Sequence, residues 1–178
     1  SQSIRALALS GDVFTDGKSH TRAVLIEATP EEIWPWLVQI GQDRGGFYSY
    51  QWLENIFQAD MRNAYEIKRE YQYPRKEGDT IWLTNKVHYN GGGYQILAEV
   101  TPLRSMVMVG AKDFTRISNG EKAMGSWAFY LYPENTTKTW LIVRSSDGDL
   151  PKGNKVLRYF TFEVPHFIME RKKIGRAH

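Results

Sequence analysis

The chain has no cysteine, which excludes a disulfide framework, a thiolate nucleophile and a cysteine-ligated zinc. It has no apolar run near the ~20 residues that a membrane-spanning helix requires, and no leader-like start. It does not begin with Met, so a removed upstream segment, an anchor included, stays open. Charge of one sign is scarce: 23 basic residues stand against 20 acidic ones, a net +3. The one basic cluster, Arg171-Lys172-Lys173 with Arg176, reads as a solvated helix end rather than a nucleic-acid surface. Gly91-Gly92-Gly93 lacks the strand–loop–helix setting and the Lys-Ser/Thr of a phosphate loop, and reads as a hairpin turn. No Ser/His/Asp set, zinc pattern or dinucleotide fingerprint stands out. These absences lead to the expectation of a soluble, cytoplasmic chain with no membrane span, no nucleic-acid partner, no metal and no cofactor.

What is present is aromatic. Six Trp, ten Tyr and eight Phe make up 13% of 178 residues. That length suits one domain with its own core. Tyr and Trp combine large apolar area with one polar handle, which fits a lined cavity as well as an ordinary core.

Residues 1–19 read as an N-terminal arm before a single domain over 20–178. Residues 20–28 alternate as a strand. Thr29-Pro30-Glu31-Glu32 opens a helix over 30–40, with Thr29 as cap, Pro30 in the first position and Glu32 closing a capping box. Pro35 removes an amide donor and predicts a kink or break. Gly45-Gly46 is an elbow before a second helix over 49–58. The apolar period then falls from 3.6 to 2. Strands are expected at 66–72, 79–86, 94–100, 105–111, 125–132 and 138–146, joined by short turns and therefore antiparallel. The chain returns to helix beyond 154, with an interruption at Pro165. This order predicts an α+β helix-grip fold: a seven-stranded curved antiparallel sheet with two short helices and a C-terminal helix. One helix on a wide twisted sheet leaves interior space, the usual setting of a ligand cavity.

The run from Pro35 to Tyr50 (PWLVQIGQDRGGFYSY) resembles a bacterial branch of the START-related helix-grip superfamily, often labelled SRPBCC or polyketide cyclase-like. Trp52-Leu53-Glu54-Asn55, Gly78-Asp79-Thr80, Ser126-Trp127-Ala128-Phe129, residues 141–145 (LIVRS) and residues 166–172 (HFIMERK) extend the likeness over residues 20–174. The resemblance implies a ligand between sheet and C-terminal helix. It does not imply a reaction. Pro165 departs from the unbroken C-terminal helix common in that superfamily.

Several residues are candidates for the site. Arg44, in Asp43-Arg44-Gly45-Gly46, either meets an acidic head group by a forked hydrogen bond or pairs locally with Asp43. Tyr48 and Tyr50 offer hydroxyls to a ligand or serve as core aromatics. Trp127 is a core or cavity wall. Arg144, on the Trp140-Ile142-Arg144 face, anchors a ligand if that face is the concave one. His166 and Glu170, four apart, share a helix face and are candidates for a base and its orienting partner, or for a local salt bridge.

Three functions are consistent with this. The first is a carrier or sensor that binds a hydrophobic or amphipathic small molecule. The second is a cyclase- or dehydratase-like enzyme acting on a polyketide- or lipid-like substrate. The third is a structural or chaperone-like domain without a ligand.

Overall fold

A strand buried on both faces must alternate two different environments, and the last two strands do so. The computed structural model of the protein describes residues 9–16, 18–46, 66–83 and 93–147. Its strands are β1 (Lys18–Ile26), β2 (Thr80–Trp82), β3 (Tyr94–Thr101), β4 (Ser105–Val109), β5 (Gly125–Pro133) and β6 (Thr139–Asp147). They form one antiparallel sheet in the order β1-β6-β5-β4-β3-β2. In β5 and β6, Trp127 stands opposite Ser145, Phe129 opposite Val143 and Leu131 opposite Leu141. Opposed residues share a face, so these form one side. Ala128, Tyr130, Ile142 and Arg144 form the other.

The first side carries the main core. Helix α1 (Pro30–Val38) lays Ile33, Trp36 and Leu37 on it, against residues that include Trp127, Phe129 and Leu141. Thr29 and Glu32 work as the start signal implies. The Glu32 carboxylate accepts the Thr29 N–H at 2.8 Å, satisfying a donor that a helix end leaves open. α1 runs unbroken through Pro35 and ends at Val38, so the expected break is not found. Pro35 sits in the second turn, where its missing N–H removes one hydrogen bond while the flanking turns hold. The end is made by Gly41, whose φ of 138° only glycine takes readily.

Two expectations fail. Residues 66–72 are not a strand: Arg69–Tyr71 is a 3-10 turn. The amide of buried Gln39 accepts the Lys68 N–H at 3.1 Å and donates to the Glu66 carbonyl at 3.1 Å. A side chain, not a neighbouring strand, takes these backbone groups. The described sheet therefore has six strands rather than seven. Helix α2 (Ala111–Ser118) was not anticipated from the pattern; it bridges β4 and β5 and closes at Gly120, with φ 79°. The expected helix over 49–58 and the C-terminal helix beyond 154 lie outside the described residues. Among the described residues the architecture is α+β, an antiparallel sheet with two α-helices. No helix among them is long and apolar enough to cross a membrane.

The other side of the sheet is covered by the N-terminal residues. A 3-10 turn, Ser10–Phe14, lies on it, with Leu9 and Phe14 against Val107, Ala128, Tyr130 and Ile142. Gly11 is required there. Its N–H donates to the Tyr130 hydroxyl at 2.9 Å, and a Cβ would stand 2.4 Å from that oxygen.

Candidate functional site

The helix side of the sheet is a wall of soft and aromatic side chains. Met106 pairs with Phe129 and Met108 with Trp127 across β4 and β5, and all four are fully buried. The Trp127 and Phe129 rings are tilted at 53° with centroids 5.0 Å apart. Thioethers and aromatic rings pack well against each other and adapt to irregular shapes. Leu97 continues the row through its pairing with Met108. A β-bulge between Leu97 and Glu99 keeps this wall apolar. It turns the Glu99 carboxylate to the reverse face, where Ser10 and Ser105 donate to it at 2.7 and 2.6 Å.

Gln95 is one of the polar groups on the helix side. Gln95 pairs with Ile81, two residues along β3 from Leu97 and on the same face. Its Oε1 is buried and has no hydrogen-bond partner. Buried acceptors are normally satisfied, so this oxygen is an exception.

The elbow after α1 is the second polar centre. Arg75 is buried, and its Nε and Nη2 donate to the Val38 and Ile40 carbonyls at 2.9 and 2.6 Å. A cation there caps the negative end of α1. Burial first, then the neighbouring charge of Arg44, push the Arg75 guanidinium down to about 10, against smaller upward pulls from Asp79 and Asp43. It is still a cation at neutral pH. The loop closes through mutual backbone bonds of Gly41 and Gly46 at 3.1 and 2.9 Å, and Gln42 N–H reaches the Trp82 carbonyl at 2.8 Å. The elbow is thus tied to the β2 edge. A Cβ on Gly41 would lie 4.0 Å from Ile81 Cγ2, so the elbow adjoins the apolar wall. Arg44 is half-buried, and its Nη1 is buried without a hydrogen-bond partner.

Arg144 is placed differently from expectation. It stands opposite Ala128 on the reverse face, away from Trp127. Its Nη1 pairs with the Asp12 carboxylate, and its Nε donates to Thr21 Oγ1 at 2.9 Å. The anion it needs comes from this chain's own N-terminal turn. Trp127 and Arg144 are therefore not brought to one cavity. On the same reverse face, burial is the main cause that raises the Tyr130 phenol to about 12, with Asp12 and Glu99 adding to it.

Tyr48, Tyr50, His166 and Glu170 lie outside the described residues. No group of three or more His, Cys, Asp or Glu side chains arranged for a metal occurs among the described residues. The sequence reading missed Arg75, Gln39, Gln95 and Asp12. Their roles depend on tertiary neighbours, and no local spacing signals them.

No family model matches the chain, and no curated protein does. Several solved structures are similar to the chain over most of its length at low identity. The Aha1 dimer from Colwellia psychrerythraea is 13% identical at a TM-score of 0.46, covering 88% of this chain and 94% of that one. The self-sacrificing resistance protein CalC from Micromonospora echinospora is 11% identical at a TM-score of 0.46, covering 89% and 94%. A protein from Mesorhizobium loti is 17% identical at 0.45, covering 90% and 99%. At these scores the likeness carries no argument about what this chain binds.

Proposed function

We propose that this protein binds a hydrophobic or amphipathic small molecule against the helix side of its sheet, as a carrier or sensor. One observation supports this above the others. A wall of Met106, Met108, Trp127 and Phe129 runs through Leu97 to a buried Gln95 acceptor that the protein leaves unsatisfied. An apolar surface with a few convergent polar groups is the usual composition of a small-molecule site. The motif run from Pro35 to Tyr50 supports assignment to the bacterial branch of the START-related superfamily, for which a ligand in this position is the expectation.

The experiment is native mass spectrometry of protein purified from its own host, paired with titration of an apolar fluorescent probe. A co-purifying small molecule, and probe binding weakened in a folded Trp127→Phe variant, are the expected results. No bound molecule, together with no probe binding by the wild type, sinks the reading.

A further inference from the structure

The loop that leads from α2 into β5 is held from two directions. On the α2 side, Arg116 Nε donates to the Lys122 carbonyl at 2.8 Å, and the Asp113 carboxylate accepts the Met124 N–H at 2.9 Å. On the N-terminal side, the Lys122 ammonium donates to the Val13 carbonyl and lies 3.8 Å from the Asp16 carboxylate. The Ala123 N–H donates to the Phe14 carbonyl at 2.7 Å, and a parallel bridge joins Thr15 to Ala123. The N-terminal turn and α2 are thus linked through Lys122, Ala123 and Met124. α2 itself buries none of its residues, and among the described residues neither Phe114 nor Ile117 joins a core cluster. It leaves through Gly120, where a Cβ would meet nothing within 4 Å. The turn rests on half-buried Leu9 and Phe14, and is fastened by the Asp12 and Gly11 contacts. β4 beside them is buried throughout.

We propose that the N-terminal turn and α2 form one opening unit, so that lifting residues 9–16 off the reverse face frees α2 while the sheet stays folded. This goes beyond the small-molecule reading and does not depend on it. Proteins open in contiguous units, and the units with the least buried apolar surface open first. Here two such elements stand beside a sheet buried on both faces. The side chains that join them are largely exposed, 51% at Lys122, 79% at Asp16 and 41% at Arg116. Contacts of that kind are individually weak, but they act in series with the backbone bond of buried Ala123. When the turn leaves, Lys122 loses Val13 and Asp16, and Ala123 loses Phe14. α2 keeps its packing beside β3, but the loop that Arg116 and Asp113 hold loses its own support. Such coupling is reciprocal, so loosening α2 also loosens the turn. Because α2 joins β4 to β5 beyond the Met108–Trp127 pair, an event on the reverse face is passed to that end of the apolar wall. Residues 9–16 then serve as a handle through which a partner acts on α2.

The test is hydrogen exchange of the full chain, read amide by amide by NMR. Gly11 and Ala123 report the turn and its link, Phe114 and Asn119 report α2, and β5 and β6 report the sheet; each of the four amides has a defined acceptor. In the wild type the turn and α2 should show the same opening equilibrium, at least tenfold more open than the sheet. Asp12→Ala removes the turn's ion pair and should speed both the turn and α2 by about 30-fold. Arg116→Met acts from the other end and should speed both by about threefold, the scale of one exposed contact. Its altered side chain is exposed, so it carries the test alone if Asp12→Ala does not fold, as judged by circular dichroism. Wild-type protection of α2 or the turn equal to that of the sheet overturns the inference, since neither then opens apart from the global fold. Faster exchange confined to the turn in Asp12→Ala, or to α2 in Arg116→Met, overturns the coupling.

Discussion

Trp127 and Arg144 lie on adjacent strands and point to opposite sides of the sheet, because Trp127 is opposite Ser145 while Arg144 is opposite Ala128. The ion pair of Arg144 with Asp12 thereby fastens the N-terminal turn rather than lining the apolar wall. The Arg144 side chain is 5% exposed and that of Asp12 34%. Removing one partner of a buried pair strands the other charge. Asp12→Ala should therefore destabilise the fold by about 2 kcal/mol, reduced from the fully buried case by the partial exposure of Asp12. Replacing both, Asp12→Ala with Arg144→Met, should recover part of the loss. Urea titrations of the three variants measure this, and apolar probe binding should be unchanged in each folded one. Loss of probe binding in Arg144→Met alone would place the ligand on the reverse face.

Tyr130 and Gly11 form a second fastening on that face, and it gives a pH signature. The folded-state pKa of Tyr130 is raised to about 12 from 10.0, chiefly by burial. The unfolded chain loses the phenolic proton first as pH rises, so stability is full below about 10 and falls between about 10 and 12. The slope from one group is at most about 1.4 kcal/mol per pH unit. Arg75, with its folded pKa lowered, acts in the opposite sense over that range. The clean measurement is the difference between wild type and Tyr130→Phe, in which Arg75 cancels. The alkaline decline should be shallower in Tyr130→Phe. An identical decline in both would mean that Tyr130 is not the titrating group.

The strand alternation was legible because β5 and β6 bury both faces with different residues: Trp127 and Phe129 on one side, Ala128 and Tyr130 on the other. Thr29-Pro30-Glu31-Glu32 was legible because capping is local. The relation of Trp127 to Arg144 was not. The parity of each strand can be read from sequence, but which residue faces which across strands depends on register. Residues 66–72 misled for a similar reason. Their alternation satisfies a strand pattern, yet Ile67 is exposed and the backbone bonds to Gln39. Of the candidate site, Trp127 and Arg44 were named from sequence. Gln95 and Arg75 were not, since a polar residue in a strand or loop looks solvated until its burial is known.

Gly45 illustrates how closely the elbow is built. Its position presses on Gln39: a Cβ would stand 2.9 Å from the Gln39 carbonyl oxygen and 3.1 Å from Nε2. Gln39 in turn satisfies Glu66 and Lys68, and accepts from Gln72 Nε2 at 3.2 Å. Gly45→Ala must move backbone or break this set, and should cost about 1–3 kcal/mol. Gln39→Ala, which leaves the Lys68 N–H and Glu66 carbonyl at a part-buried position without these partners, should cost about 1 kcal/mol. Thermal melts check both. A neutral Gly45→Ala would show that the elbow rearranges without cost.

Gln95 distinguishes a site kept for a ligand from a core kept for stability. Its buried Oε1 has no partner, and an unsatisfied buried polar group costs about 1–3 kcal/mol. Replacing it with an apolar side chain of similar length removes that cost. Gln95→Met should therefore raise the stability of the ligand-free protein by about 1 kcal/mol, since part of the gain is offset by imperfect repacking. In a purely structural domain that would be the whole effect. If the acceptor is instead held for a guest, the same substitution should weaken binding of a ligand that carries a hydroxyl able to meet it, while a plain alkyl chain binds as before or tighter. Chemical denaturation of the ligand-free protein and parallel titrations with decanoate and 3-hydroxydecanoate separate the two effects. A gain in stability with a selective loss for the hydroxylated ligand is the expected outcome. A loss of stability in Gln95→Met would mean that the amide is satisfied in the folded protein and is not kept for a guest.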